Sequence, residues 1–171
     1  MLELGKAGSL GYPRGELPVL RDGSVVAVLR ASNWKEAATA IVGERVWVFS
    51  KRKGELTGRW DAEPQDTARL RAIQKSFWKS TWTLDLEGRP VEMQNASMWR
   101  GTHRYLSSGL QIAESGSTGG WSPRPTLMAD DALPLHQQVF LLWLELVLSR
   151  RNTAAVAAGA ATSAAVIGGS S

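Results

Sequence analysis

The acidic and histidine side chains that could carry acid–base chemistry are few in this sequence. Asp85 and Glu87 lie two residues apart on a predicted strand, so their carboxyl groups share one face, as an acid–base pair in a hydrolase would. His103 begins a later strand, and His136 opens an apolar segment. One hypothesis is therefore a hydrolase with its site near Asp85, Glu87 and His103. The simpler alternative is that both carboxylates are solvated hairpin residues.

Metal and cofactor chemistry find no support in the residue pattern. The chain has no Cys and no His-x-x-x-His pair, which excludes thiolate zinc sites, disulfides and iron–sulfur clusters. Glu145 is the least usual acid, because it interrupts an apolar run and needs a polar partner, for which an Arg or the helix margin is expected. We predict no catalytic residue, no metal site and no cofactor.

Basic residues interleaved with tryptophan indicate a different chemistry, the binding of anions. Three cations occupy one predicted turn, and four more follow in the next region; the candidates are Lys51, Arg52, Lys53, Arg69, Arg71, Lys75 and Lys79. The neighbouring tryptophans are Trp47, Trp60, Trp78, Trp82 and Trp99. Such a surface suits lipid headgroups or single-stranded nucleic acid. The alternative is that the indoles fill a protein interior and the charges are solvated loops.

Composition limits the class of protein. The 171 residues carry a net charge of +4, 43% are hydrophobic and 21% are charged, which is typical of one globular domain. The N-terminus has no basic region followed by an apolar run, so no signal peptide is expected. The longest apolar run, over 139–148, is too short to span a bilayer as a helix. We expect a cytoplasmic protein.

Short alternating segments between residues 17 and 130 predict strands. In the clearest hairpin, Trp82, Leu84 and Leu86 share one face, and a Glu87-Gly88 turn leads to a return strand with Val91. Segments 103–106 and 110–113 form a second predicted hairpin. Segment 66–77 fits both a helical stripe and an alternating strand, and its neighbours favour a strand.

The C-terminal part has a different character. Pro134 suits the first position of a helix, and residues 135–148 are apolar on every side, so that helix must be surrounded by protein. We therefore predict a mainly β, antiparallel closed β-barrel of roughly 10–12 strands that encloses one hydrophobic C-terminal helix. Residues 1–16 form a flexible Gly-rich leader, 17–152 the barrel with its helix at about 134–150, and 153–171 an uncharged tail, disordered or a frayed Ala-rich helix.

This pattern resembles the tubby-like superfamily, which includes LURP-one-related proteins and phospholipid scramblases. The residues that carry the resemblance are the strand–turn–strand units at 80–91 and 104–112 and the apolar block at 134–150. The resemblance implies a barrel of about twelve strands threaded by one hydrophobic helix. The chain lacks the cysteine cluster and the acidic calcium segment of scramblases, and the basic pocket with which tubby proteins hold phosphoinositides has no residue-by-residue match.

The function expected from these features is that of a non-enzymatic binding or scaffold module. Its partner is an anionic membrane surface, contacted peripherally and without a transmembrane span, or another protein. A nucleic-acid-binding barrel that uses the same basic and tryptophan residues is the first alternative, and the hydrolase is the second. The sequence does not determine the oligomeric state.

Overall fold

The computed structural model describes residues 1–32, 34–76, 81–97 and 101–167, and describes side chains for these except 76 and 160–167. It contains twelve strands and one helix: β1 (Leu2–Leu4), β2 (Leu17–Arg21), β3 (Ser24–Ala31), β4 (Ala37–Val42), β5 (Arg45–Arg52), β6 (Glu55–Trp60), β7 (Leu70–Ser76), β8 (Thr81–Leu86), β9 (Arg89–Ser97), β10 (Thr102–Ser107), β11 (Leu110–Ser117), β12 (Pro125–Ala129) and α1 (Leu135–Ile167).

The strands form one closed antiparallel barrel, in which each strand pairs with its neighbours in sequence and β1 pairs with β12. Closure leaves no unpaired edge that could template aggregation. The predicted closed barrel with a single C-terminal helix is confirmed, and segment 70–76 is a strand as its neighbours suggested.

Four tight turns set the register of the hairpins. Asp22-Gly23, Lys53-Gly54, Glu87-Gly88 and Ser108-Gly109 each place two consecutive residues at positive φ. Two-residue turns of this kind match the right-handed twist of the flanking strands, and glycine at the second position adopts that φ without steric cost. The Glu87-Gly88 turn is further held by the Asp85 carboxylate, which accepts a hydrogen bond from the Gly88 amide at 2.6 Å.

The first part of α1 fills the barrel. Residues 139–144 are at most 1% exposed, so every side of the helix is covered by strands. Phe49 on β5 packs against Phe140 and Trp143, with ring centroids 5.4 and 5.2 Å away. The inward faces of β8 and β9 contribute Trp82, Leu84, Leu86, Val91 and Met93, all buried, as their alternation predicted.

The structure differs from the sequence analysis at both termini. The leader 1–16, expected to be flexible, contains β1, in which Leu2 and Leu4 are 1% exposed and which closes the barrel between β2 and β12. At the other terminus α1 continues through Ile167. Of the two expectations for the tail, residues 153–167 therefore follow the Ala-rich helix. The side chains of 152–159 are exposed there.

The antiparallel barrel has two distinct ends. At the proximal end, where α1 begins, the turns and strand ends carry the exposed acids Asp22, Glu44, Asp85, Glu87, Asp130 and Asp131 beside the exposed cations Arg45 and Arg89. At the distal end, where α1 leaves the barrel, the loops, strand ends and α1 carry the exposed cations Lys6, Arg14, Lys35, Lys51, Arg52, Lys53, Lys75 and Arg150. The barrel is therefore electrically polarised along its axis.

Helices able to cross a bilayer are absent from the ranges that the structure describes: none has the required length and apolar content.

Candidate functional site

The structure separates the seven candidate basic residues. Lys51 and Lys53 lie at the distal end, in and beside the β5–β6 turn, and Lys75 is exposed near the end of β7 on the same side. Arg52 donates a hydrogen bond to the Gln65 carbonyl, in the loop after β6. Arg71 faces solvent and pairs with Glu55 at 3.7 Å. Lys79 lies outside the described residues.

Arg69 belongs to the proximal end. Its guanidinium lies 3.7 Å from the centroid of the Trp60 ring and 2.6 Å from a Glu63 carboxylate oxygen. A second carboxylate, that of Glu87, is 3.7 Å away. These contacts give the Arg69 guanidinium its partners and hold the loop between β6 and β7. Arg69 therefore lies apart from the cations of the distal end.

The tryptophans divide into buried and exposed groups. Trp47 and Trp82 are each 2% exposed and fill the interior, which is the alternative that the sequence left open for them. Trp60 is half-buried under Arg69 and Arg45. Trp78 and Trp99 lie outside the described residues. Two indoles not singled out from the sequence, Trp34 and Trp121, are 96% exposed and fully exposed.

Both exposed indoles lie at the distal end. Trp34 is in the β3–β4 loop and Trp121 in the β11–β12 loop, next to Gly120. Leu10, in the β1–β2 loop, and Val156, on the projecting part of α1, are 63% and 74% exposed at the same end. Together with Lys35, Lys53 and Lys75 these residues make up what we call the distal surface. The only sequence signal for the two indoles was their position in loops between strands.

The three cations of the distal surface are free of internal ion pairs. Lys35, Lys53 and Lys75 are exposed, and none of them forms a salt bridge with another described residue. Exposed lysines without an internal partner keep their full charge available to an anionic surface. The distal surface thus combines unpaired positive charge with exposed apolar side chains.

Below the distal surface, a set of ion pairs fastens α1 to the barrel rim. Arg151 makes a bidentate contact with Glu36, at 2.5 and 2.8 Å, and Lys51 reaches the same carboxylate at 3.0 Å. Arg150 donates to the Ser32 carbonyl at 2.7 Å. The hydrogen bond from Arg151 is the main cause that lowers the pKa of Glu36 from 4.5 to about 2, against the opposing effect of burial. Burial also lowers the pKa of Arg150.

The ion pairs of Glu36 predict that the folded protein loses stability in acid. Because the pKa of Glu36 is depressed in the folded protein, its contribution to stability is present above pH 4.5 and is lost as the pH falls from 4.5 to about 2. We expect Glu36→Gln to lower the melting temperature at neutral pH and to match the unmodified protein near pH 2, as measured by circular dichroism. Glu55→Gln, which removes a longer ion pair on the barrel side, is the control. If the melting temperature of Glu36→Gln is lower than that of the unmodified protein by the same amount at every pH, the ion pairs of Glu36 are not the cause of the loss.

A buried polar cluster lies deeper at the distal end. The His103 Nδ1 atom is 3.0 and 2.9 Å from the two carboxylate oxygens of Glu145, and the Tyr105 hydroxyl donates to one of them at 2.5 Å. All three residues are at most 7% exposed. Burial, followed by the charge of Glu145, raises the pKa of Tyr105 well above its ordinary value. The expected polar partner of Glu145 is therefore a His and a Tyr on β10, not an Arg.

Two cavities adjoin His103. The larger, about 730 Å³, is lined by Lys51, Gln74, Trp82, Asn95 and Arg151 among others. The smaller, about 200 Å³, is lined by Arg124 and by Glu145 itself. His103, Leu148 and Asn152 line both. A third concavity, of about 890 Å³, has Glu114 as its charged lining residue, which pairs with Arg104 at 3.7 Å.

The residues of the hydrolase hypothesis do not converge. Asp85 and Glu87 lie at the proximal end, whereas His103 lies at the distal end. Glu87 instead contacts His136 at 2.7 Å. Burial acts to raise the pKa of Glu87, but the hydrogen bonds from His136 and Gln137 together with nearby positive charge outweigh it and lower the pKa. His136 stacks on Trp47, with ring centroids 4.5 Å apart, which fixes the beginning of α1. Among the described residues, no group of three His, Asp or Glu side chains could hold a metal ion.

Comparison of the chain with family models, with curated proteins and with solved structures finds no match. The resemblance to the tubby-like superfamily therefore stays a prediction.

Proposed function

We propose that the protein is a non-enzymatic module that binds anionic membranes peripherally through its distal surface, at the cytoplasmic face where anionic lipids are concentrated. The observation that carries this proposal is that Trp34 and Trp121, the two most exposed large hydrophobic side chains among the described residues, share one end of the barrel with Lys35, Lys53 and Lys75, which form no salt bridge with another described residue.

Each component has a physical role at a bilayer. Indole rings are amphipathic and favour the level of the headgroups, where Trp34 and Trp121 would exchange water for an apolar boundary. Each lysine near an anionic surface contributes about 1 kcal/mol, and the attraction falls off with salt. A protein interface would more often bury such large side chains in a groove formed on both partners, whereas these indoles stand on separate loops.

The polarity of the barrel gives the bound orientation. Acidic turns at the proximal end are repelled by anionic lipid, so the distal end faces the membrane. In that orientation α1 leaves the barrel toward the bilayer, and its uncharged segment 153–167 meets the headgroup region without burying a charge.

Co-sedimentation with phosphatidylserine-containing vesicles tests the proposal. We expect the Lys35→Gln, Lys53→Gln, Lys75→Gln triple variant to lower the partition coefficient by about a hundredfold at low salt, the equivalent of about 3 kcal/mol. Its control is the Arg45→Gln, Arg89→Gln, Arg104→Gln triple variant, which removes the same charge away from the distal surface and leaves binding nearly unchanged.

The indoles are tested separately. Trp34→Ser with Trp121→Ser should weaken binding by about tenfold or more, because the apolar contact is lost. Leu110→Ser, at an exposed turn of the proximal end, is the matched control. Equal binding of the two triple variants, or no binding by the unmodified protein at low salt, would refute the proposal. Tight binding of single-stranded DNA instead would favour the nucleic-acid alternative.

A further inference from the structure

The His103 imidazole is held in one orientation with one nitrogen unused. Its Nδ1 atom faces both oxygens of Glu145, and its Nε2 atom has no hydrogen-bond partner among the described residues. The ring lines both cavities, and its side chain is 9% exposed. The Nε2 atom is therefore available to a ligand or to water that enters these cavities.

The charges around the two cavities are mostly positive. Lys51 and Arg151 line the larger cavity, and Arg124 lines the smaller. Among the described lining residues the one carboxylate is that of Glu145, and its oxygens are engaged by His103 and Tyr105. Glu36 and Glu3 pair with these cations from outside the linings, at 2.5 to 3.0 Å. The cations that line the two cavities therefore supply hydrogen-bond donors, and each of them is also paired with a carboxylate from outside the linings.

From this arrangement we propose that the larger cavity beside His103 is a binding site for a small oxyanion, a phosphate monoester or a carboxylate, that accepts a hydrogen bond from the Nε2–H group of His103. Lys51 supplies a second contact, and the amides of Asn95 and Gln74 are in reach of the hydroxyl groups of an organic anion. Glu145 and Tyr105 are positioning residues.

The Glu145 carboxylate links anion binding to protonation. Accepting the Nδ1 hydrogen fixes the ring, so that its Nε2 atom points away from Glu145. The Tyr105 hydroxyl donates to the same carboxylate and keeps it oriented. Binding of the anion to a neutral ring takes up one proton at Nε2, so we expect the affinity for the anion to rise as the pH falls.

Nitrogen-15 NMR of the two imidazoles is the direct test, since His103 and His136 are the only histidines and lie at opposite ends of the barrel. Inorganic phosphate, and acetate as the carboxylate probe, should shift the Nε2 resonance of His103 and leave the ring resonances of His136 unchanged. The proposal is overturned if both anions leave His103 unchanged, or shift both histidines equally.

Two variants separate recognition from fold. Lys51→Gln should weaken phosphate binding by about tenfold, whereas Lys53→Gln, two residues away on the turn, should not. Glu145→Gln should weaken phosphate binding, because the negative charge beside the protonated ring is lost. Equal phosphate affinity of the Lys51 and Lys53 variants would overturn the proposal even if Glu145→Gln fails to fold.

The source of the anion and the membrane proposal are tested independently. Free phosphate that shifts His103 indicates a soluble ligand, whereas a shift seen only with phosphatidic acid vesicles indicates a lipid headgroup. The Lys35, Lys53, Lys75 triple variant leaves the described cavity lining intact, so it should weaken vesicle binding by about a hundredfold but keep the phosphate response of His103. Failure of the expected vesicle result therefore counts against the membrane proposal alone, and failure of the expected phosphate result counts against the anion site alone.

Discussion

Phe140→Asp is expected to leave the chain unable to fold in soluble form. Phe140 is fully buried and packs on Phe49 and Trp143, with ring centroids 5.4 and 5.8 Å away. An aspartate there loses about 3–5 kcal/mol of aromatic packing, and it also places an unpaired charge in the interior. The sum approaches the whole stability of a domain of this size, about 5–15 kcal/mol.

Two control variants distinguish burial from helix disruption. Phe140→Leu retains an apolar side chain and should fold with a lowered melting temperature. Val156→Asp introduces the same charge into the same helix at a position that is 74% exposed, and should be tolerated. Soluble yield and circular dichroism measure all three. A soluble, cooperatively unfolding Phe140→Asp protein would contradict the enclosure of α1.

The architecture was predictable because the strand pattern and the helix pattern of the sequence imply the same barrel. Alternation in β8 places Trp82, Leu84 and Leu86 on one face, and the adjacent Glu87-Gly88 turn fixes the return strand. The all-round apolar character of 139–144 leaves only an enclosed position for the helix. A sheet able to surround a helix must curve on itself, which implies closure.

The closing strand was not predictable from local pattern. β1 has three residues, and the glycines at positions 5, 8, 11 and 15 follow it and dominate the composition of the leader. Its stability comes from pairing with β2 and β12, more than a hundred residues away along the chain in the case of Leu127. Such a contact is determined by barrel geometry rather than by the residues beside it.

The sequence predicted that Glu145 needs a polar partner, but it did not identify that partner. The sequence shows that Glu145 needs a partner, because it interrupts an apolar helix. The identity of the partner depends on which strand faces that side of α1, and His103 and Tyr105 come from β10, about forty residues earlier in the chain. Their alternation two residues apart, both facing inward, was the available signal.

Glu145→Leu should destabilise the protein by about 3 kcal/mol or more, since it removes the acceptor of two buried donors at a cost of about 1–3 kcal/mol each. The donors are the Tyr105 hydroxyl and the Nδ1 group of His103. Leucine matches the size of glutamate and suits the helix, so packing and helix propensity change little. Urea unfolding measures the loss, and Glu145→Gln, which keeps an acceptor oxygen, should lose less.

A double-mutant cycle assigns this loss to the cluster. The Tyr105→Phe variant lacks one of the two donors that lose their acceptor in Glu145→Leu. In that background Glu145→Leu should therefore lower the free energy of unfolding by about 1 kcal/mol less than it does alone. A Leu146→Ala change, one residue along α1 and outside the cluster, should be additive with Tyr105→Phe. If Glu145→Leu is equally costly with and without the Tyr105 hydroxyl, that hydroxyl does not depend on the carboxylate. The hydrogen bond would then not be what orients Glu145 toward His103.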